Sequence, residues 1–372
     1  LTREEQRKIV DEILDEILGL GPLEPLLRAP DITDILVNGP KQVYVERGGR
    51  LETVETTFHD NAHLMHIIDR VVSKVGRRVD ESTPMVDARL PDGSRFNAVI
   101  PPLAVDGPMV SIRRFSAEPI QAEDLVRRGA VPAPILEMLR GCVKARLNII
   151  ISGGTGAGKT TLLNVLSSFI PTRERIITVE DAAELRLQQP HVVRLETRPP
   201  HLEGQGEIRA RDLVRNALRM RPDRIILGEI RGEEAVDMLQ AMNTGHEGSF
   251  GTVHANTPRD ALVRMETMVG MGMTNLKDRT IREMIARSLD LVIQVERLSD
   301  GTRRLVSICE VTGMEGDVIT IQDLFTFTQS TVDQRGRVRG QFATTGVRPA
   351  FSEKLNRCGI KLPASLQGFH ED

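Results

Sequence analysis

Leu147-Asn148-Ile149-Ile150-Ile151-Ser152-Gly153-Gly154-Thr155-Gly156-Ala157-Gly158-Lys159-Thr160-Thr161-Leu162 decides the fold of this chain. An apolar run, Leu147 to Ile151, passes through a glycine-rich turn into a helical stretch from Leu162 to Phe169. Gly153 to Thr160 matches Gly-x4-Gly-Lys-[Ser/Thr] in full, in the strand–loop–helix context the motif requires. Its glycines let consecutive backbone N–H groups curl around phosphate oxygens with no Cβ in the way. The start of the following helix adds roughly half a unit of positive charge. The loop from Gly153 through Ala157 to Thr161 is therefore expected to hold ATP. Lys159 should bridge the β- and γ-phosphates, and Thr160 should ligate Mg²⁺.

Further along, apolar strands at Arg175–Val179, Arg224–Leu227 and Phe250–Val253 alternate with helical stretches, the pattern of a parallel sheet wrapped by helices. Such sheets present their ligand site at the carboxyl ends of the strands. Arg224-Ile225-Ile226-Leu227-Gly228-Glu229 ends there in a carboxylate, although Gly228 stands where the usual Walker B pattern has an aspartate. Glu229 could orient water, act as base, or bind a magnesium-coordinated water. Thr178-Val179-Glu180-Asp181 ends in two more acidic residues. Glu180 is the expected partner of Thr160 and Glu229 around the metal, and Asp181 reads equally as the N-cap of a following helix. His254 closes a fourth strand at the same edge, where it would report γ-phosphate occupancy to the helix beginning at Pro258. Arg211, Arg215 and Arg219 recur every four residues. They read as a solvated basic face paired with Asp212 or Glu207, or as a row offered to a neighbouring subunit's nucleotide.

Ahead of this region the patterning is mixed. Residues 2–18 and 62–75 show helical spacing, Ile35–Val37 and Val43–Val45 read as strands, and Gly48-Gly49 reads as a hairpin turn. Val86 to Ile100 predicts a second hairpin turned at Pro91-Asp92-Gly93, and Met109 to Phe115 a closing strand. The expected organisation is an α+β N-terminal domain over 1–115, a helical connector over 116–146 marked by Pro119, Pro132 and Pro134, and an α/β ATPase domain over 147–372. Strand-like runs from Asp290 to Phe327, with a hairpin at Ser299-Asp300-Gly301, close the pattern.

Composition excludes other classes. Of 372 residues, 40% are apolar and 27% charged, which fits a globular chain long enough for two cores. No apolar run approaches the ~18–20 residues that cross a bilayer, so membrane contact is expected to be peripheral. The opening residues lack an apolar signal region, and the start at Leu1 rather than Met suggests further sequence upstream. Cys142, Cys309 and Cys358 are far apart, which excludes a zinc ribbon and fits a reducing cytosol. A net charge of −3 gives no global pull towards nucleic acid, and no Trp and the single Tyr44 leave few rings for base stacking, so nucleic acid is not expected as the main substrate.

In this order, the motifs resemble the secretion ATPase superfamily of type II secretion, type IV pili and type IV secretion. Ile176 to Asp181 is similar to its Asp box, Arg224 to Glu229 to its atypical Walker B, and Gly248 to His254 to its His box. Asp31-Ile32-Thr33-Asp34-Ile35-Leu36-Val37-Asn38-Gly39 resembles the opening of its N-terminal domain. Leu218 to Asp223 and Ala241 to His246 look most like the CpaF/TadA branch, which powers tight-adherence (Flp) pilus assembly, and the missing four-cysteine module argues against the general-secretion branch. The resemblance implies a RecA-like ATPase domain behind a smaller α+β domain, and a cytoplasmic homohexamer working on inner-membrane platform proteins. It also implies that Arg95 and Arg113 of the N-terminal domain reach the nucleotide. Arg114, on the opposite strand face, is the rival of Arg113. A type IV secretion ATPase exporting protein or DNA, and a slow nucleotide-dependent assembly switch, are the alternatives.

Overall fold

Thr2 starts the first helix by reciprocal capping: its hydroxyl accepts from Glu5 N at 3.2 Å while Glu5 Oε2 accepts from Thr2 N at 2.7 Å. In the computed structural model, which describes residues 2–114, 120–198, 206–273 and 275–362, the chain divides into two units, Leu1–Glu118 and Pro119–Asp372.

The first unit contains α1 (Arg3–Leu18), α2 (Glu24–Arg28), β1 (Ile32–Asn38), β2 (Val43–Arg47), β3 (Arg50–Val54), α3 (Asn61–Lys74), β4 (Met85–Arg89), β5 (Arg95–Val99) and β6 (Met109–Arg113). Its strands form one antiparallel sheet in the order β3-β2-β1-β6-β5-β4. Helical spacing puts Leu64, Ile67, Ile68, Val71 and Val72 of α3 on one side, and they join a core with Ile35, Val37, Val45, Phe96 and Ile112. Because strand side chains alternate, Arg95 and Arg113 fall on the other, solvent-facing side of the sheet, directly opposite one another across β5 and β6. The hairpins at Gly48-Gly49 and 91–93 form as expected. Phe115 lies outside the described residues.

The second unit begins with α4 (Ala122–Arg127) and α5 (Ala133–Lys144). The stretch 116–146, expected as a connector, is instead largely part of this unit's core: Leu125, Ile135, Leu136, Leu139 and Val143 are buried in it. Pro132 and Pro134 occupy the N-cap and first turn of α5, where a missing N–H costs nothing, so they start a helix rather than mark a hinge.

There follow β7 (Ile149–Gly153), α6 (Lys159–Ser167), β8 (Ile176–Glu180), β9 (Val192–Glu196), α7 (Ala210–Ala217), β10 (Arg224–Leu227), α8 (Glu234–Asn243), β11 (Phe250–Val253), α9 (Pro258–Gly272), α10 (Asp278–Ser288), β12 (Leu291–Arg297), β13 (Arg303–Glu315), β14 (Val318–Val332), β15 (Val338–Thr344) and α11 (Ser352–Arg357). They build a nine-stranded sheet in the order β15-β14-β13-β12-β7-β11-β10-β8-β9. The run from β12 to β9 is parallel and the remainder antiparallel. Strands β7, β8, β10 and β11 are buried along their whole length, as expected for a sheet covered on both faces. Ile149 and Ile151 enter one core beside α5 and α6, whereas Ile150 enters the other beneath α8 and α9. The strands β9 and β15 were not expected from the sequence. Val192–Glu196 is half-exposed and mixed in character, so its place at the sheet edge comes from pairing with β8.

Candidate active site

β7 ends in the glycine-rich loop, and α6 begins at Lys159. Gly158 caps that helix at φ 98°, a left-handed conformation that a Cβ would strain. The Lys159 Nζ donates to its own loop, reaching Gly153 O at 2.8 Å and Gly154 O at 2.9 Å. Burial lowers the pKa of this ammonium, and the nearby Glu229 carboxylate opposes that shift. Thr160 and Thr161 are half-buried in the first turn of α6, and Thr155 and Gly156 are exposed on the loop.

The strand order brings the other expected groups to the same edge. β11 lies between β7 and β10, and β8 lies on the far side of β10. His254 therefore follows a strand adjacent to the one carrying the loop, Glu229 follows the next, and Glu180 is the last residue of the one after that. Side-chain-to-backbone bonds hold this edge in register: Thr252 Oγ1 donates to Gly228 O at 2.6 Å, and Gln294 Nε2 donates to Ala255 O at 3.2 Å and Asn256 O at 2.9 Å.

The two acidic strand ends differ. Glu180 is buried, and its Oε1 accepts from Glu184 N at 2.8 Å and Leu185 N at 2.9 Å, so it anchors the loop after β8. Its Oε2 is buried without a partner. Burial pushes the Glu180 carboxyl up to about 6, against the pull of those two N–H groups. This side chain also accounts for Gly228. A Cβ there would stand 2.8 Å from Glu180 Cγ, closer than real contacts allow, so the aspartate of the usual pattern cannot fit while Glu180 lies where it does. Asp181 starts no helix. It is exposed and accepts from Arg231 Nη1 at 2.9 Å, while Arg231 Nη2 donates to Glu229 Oε2 at 2.6 Å.

Thr160, Glu180 and Glu229 would offer magnesium the oxygen donors it takes, one or two carboxylates with its other positions left to phosphate and water. The orphaned Glu180 Oε2 is the buried polar atom such a shell would satisfy. Among the described residues no cluster of three or more His, Cys, Asp or Glu could hold a metal by itself.

Three arginines were missed in the sequence because no motif announces them. Arg231 lies just past Glu229. Arg303 donates from Nε to Gly156 O at 2.8 Å, and Arg297 brings Nη1 within 3.6 Å of where a Cβ on Gly156 would lie. Both come from the β12–β13 hairpin, far from the loop in sequence. Arg211 and Arg215 do not pair with Asp212 or Glu207. Both bind the buried Asp237 of α8 at 3.0 Å, because α7 packs beside α8; Arg215 stays exposed while doing so, as does Arg219 beyond the helix end. In the N-terminal unit, Arg114 donates to Ala29 O and, at 3.1 Å, to Ile32 O. It is thereby committed to its own domain, whereas Arg113 meets Asp34 at 3.3 Å on the open sheet face. His254 lines a groove of about 480 Å³ with Arg231, Asp260, Arg264 and Met271.

Comparison with known proteins agrees with this architecture. The family described as Type II/IV secretion system protein matches residues 16–347. A putative conjugal transfer protein of Mycobacterium tuberculosis (strain CDC 1551 / Oshkosh) is 41% identical over 309 residues, 82% of this chain and 87% of that protein. The type IV secretion system protein PtlH homolog of Bordetella bronchiseptica is 36% identical over 315 residues, 77% of this chain and 92% of that one. Among solved structures, the pilus retraction motor PilT with bound ADP shares the fold, with a TM-score of 0.52 at 22% identity over 79% of each chain. With the match running from residue 16 to residue 347 and these relatives aligned along most of their own length, the chain belongs to the Type II/IV secretion system protein family.

Proposed function

We propose that this chain hydrolyses ATP to ADP and phosphate as the motor of a tight-adherence pilus assembly machine. It would act as a homohexamer, peripheral to the inner membrane, through a platform protein. The reading is supported by the strand order that brings Lys159, Glu229 and His254 to one sheet edge, with Lys159 folded onto the glycine-rich loop and within electrostatic reach of Glu229. On binding, the γ-phosphate would draw the Lys159 ammonium away from the two carbonyls that it now serves. Bound Mg²⁺, held by Thr160 and the carboxylates Glu180 and Glu229, would neutralise phosphate charge. Glu229 would orient the attacking water, the task left to protein in a loose transition state. Arg95 and Arg113 would supply the positive charge on the open side if the N-terminal domain closes over the nucleotide, since a planar guanidinium fork suits phosphate oxygens. Hydrolysis would weaken that attraction and let the domain swing away.

A second reading, a motor for type IV secretion of protein or DNA, is favoured by relatives named as conjugal transfer and type IV secretion proteins. Both readings require coupled subunits. Glu229→Gln should bind Mg·ATP but turn over about 10²–10³-fold more slowly. Mixed into parent rings, it should depress ATPase activity more steeply than the fraction replaced. Strictly proportional loss in rings shown to have mixed would mean independent sites and end the motor reading, leaving at most a slow switch.

A further inference from the structure

Arg231 lies in the short loop between β10 and α8. Its guanidinium forks between carboxylates that follow two adjacent parallel strands: Glu229 after β10 at 2.6 Å, and Asp181 after β8 at 2.9 Å. Both distances fall at or below the range of strong charge-assisted bonds. Asp181 also accepts from Thr197 Oγ1 at 3.3 Å, which fixes the far end of the bridge. Lys159 feels both ends of the nearer pair with opposite sign, raised by Glu229 and lowered by Arg231.

Stability does not account for this arrangement. The side chains of Arg231 and Asp181 are 59% and 48% exposed, and ion pairs so open to water contribute about 0–1 kcal/mol. What the bridge does control is where the Glu229 carboxylate points.

We infer that Arg231 is a positioning residue for the hydrolytic step, and that Asp181 is its counterweight. This rests on reading Glu229 as the carboxylate that orients water. Holding that carboxylate in one orientation keeps its free oxygen lined up with the incoming water, and misorientation of such a group is costly in rate. An arginine bound to Glu229 alone would neutralise it and weaken its hold on the water protons. With Asp181 taking the other half of the fork, two carboxylates face one guanidinium, and Glu229 keeps its acceptor character. Lysine cannot replace this geometry, because a single ammonium does not present two parallel donors to groups on separate strands.

The test is steady-state ATP hydrolysis and thermal melting of the full chain. The set comprises Arg231→Gln, Arg231→Lys, Asp181→Asn, the double variant Arg231→Gln/Asp181→Asn, and Glu229→Gln. Arg231→Gln should lower kcat about 10–100-fold with KM for ATP within about threefold, the signature of an interaction made in the transition state. Arg231→Lys should recover only a small part of that loss. Asp181→Asn should lower kcat about 3–10-fold in the parent and no further in the Arg231→Gln background, since the two act as one unit. If Glu229→Gln is inactive while Arg231→Gln keeps kcat within about twofold, the inference is overturned and the role of Glu229 stands. Independent, multiplying effects of Arg231→Gln and Asp181→Asn would overturn it too, as would a loss confined to KM or to the melting temperature. A Glu229→Gln chain that hydrolyses ATP at the parent rate removes the reading of Glu229, and the role of Arg231 with it.

Discussion

At the amino-terminal edge of the parallel strands Arg224 is fully buried, and its donors are spent: Nε and Nη2 on Glu174 at 2.6 and 3.3 Å, Nη1 on Val143 O and Gly248 O at 2.8 and 3.2 Å. Asn148, at the head of β7, donates to Ser288 O at 2.7 Å and accepts from Gly248 N at 2.8 Å, while Asp290 caps its backbone N–H at 2.7 Å. The carboxyl edge of the same sheet is built the other way. Lys159 rests on carbonyls of its own loop and, among the described residues, Glu180 Oε2 and Gln294 Oε1 have no partner and Glu229 is held by the exposed Arg231 alone. A dense polar network braces one edge, although His246 Nδ1 there has no partner among the described residues. Unpaired polar atoms and exchangeable partners leave the other able to accept a ligand. On the proposed function, the difference would separate support from chemistry within one sheet.

Three experiments would break or sharpen that contrast. Arg224→Met strips Glu174 of its main partner, although Arg146 still reaches it at 3.2 Å. Leaving a buried carboxylate short of a partner should cost about 3 kcal/mol or more, lowering the melting temperature of a unit the size of Pro119–Asp372 by roughly 6–12 °C. Turnover per folded molecule should stay near parental. A melting curve left in place with collapsed turnover would erase the distinction between the edges.

Lys159→Ala should do the converse. Turnover should fall about 10²–10³-fold, equivalent to about 2.7–4 kcal/mol of barrier, with melting temperature nearly unchanged, because the lysine bonds only to its own loop. Hydrolysis close to the parent rate would sink the assignment of the loop.

The smallest effect concerns Glu180. Its carboxyl is raised to about 6 in the folded chain, so the native state binds more protons than the unfolded state between about pH 4.5 and pH 6. Stability should therefore fall as pH rises through that window, by at most about 2 kcal/mol. Glu180→Gln, which keeps the acceptor for Glu184 and Leu185, should be more stable than the parent at pH 7, with the gain vanishing near pH 4.5. Denaturant melts at the two pH values decide it. An unchanged difference would mean that the buried Oε2 is not paying a desolvation cost.

Much of this was legible from residue order. The loop from Gly153 to Thr161 is local: one contiguous stretch supplies its backbone N–H groups, its helix start and its cation. Apolar strands followed by Glu229, Glu180 and His254 were likewise visible, because a parallel sheet buried on both faces leaves unbroken apolar runs. The α4–α5 region was harder to read, since prolines that open a helix look the same in sequence as prolines that break one.

The sequence by itself determined the strand–glycine loop–helix turn at Gly153 to Thr161, the α/β alternation and the order of the α+β and RecA-like regions, all carried by neighbours along the chain. Tertiary structure alone decided that Glu180 lies over Gly228, that Arg231 ties Glu229 to Asp181, that Arg303 reaches Gly156, and that Arg114 rather than Arg113 turns into its own domain. Most of these contacts join residues some 50 to 150 positions apart, and strand order and pairing register, not local pattern, set which side chains come within bonding distance.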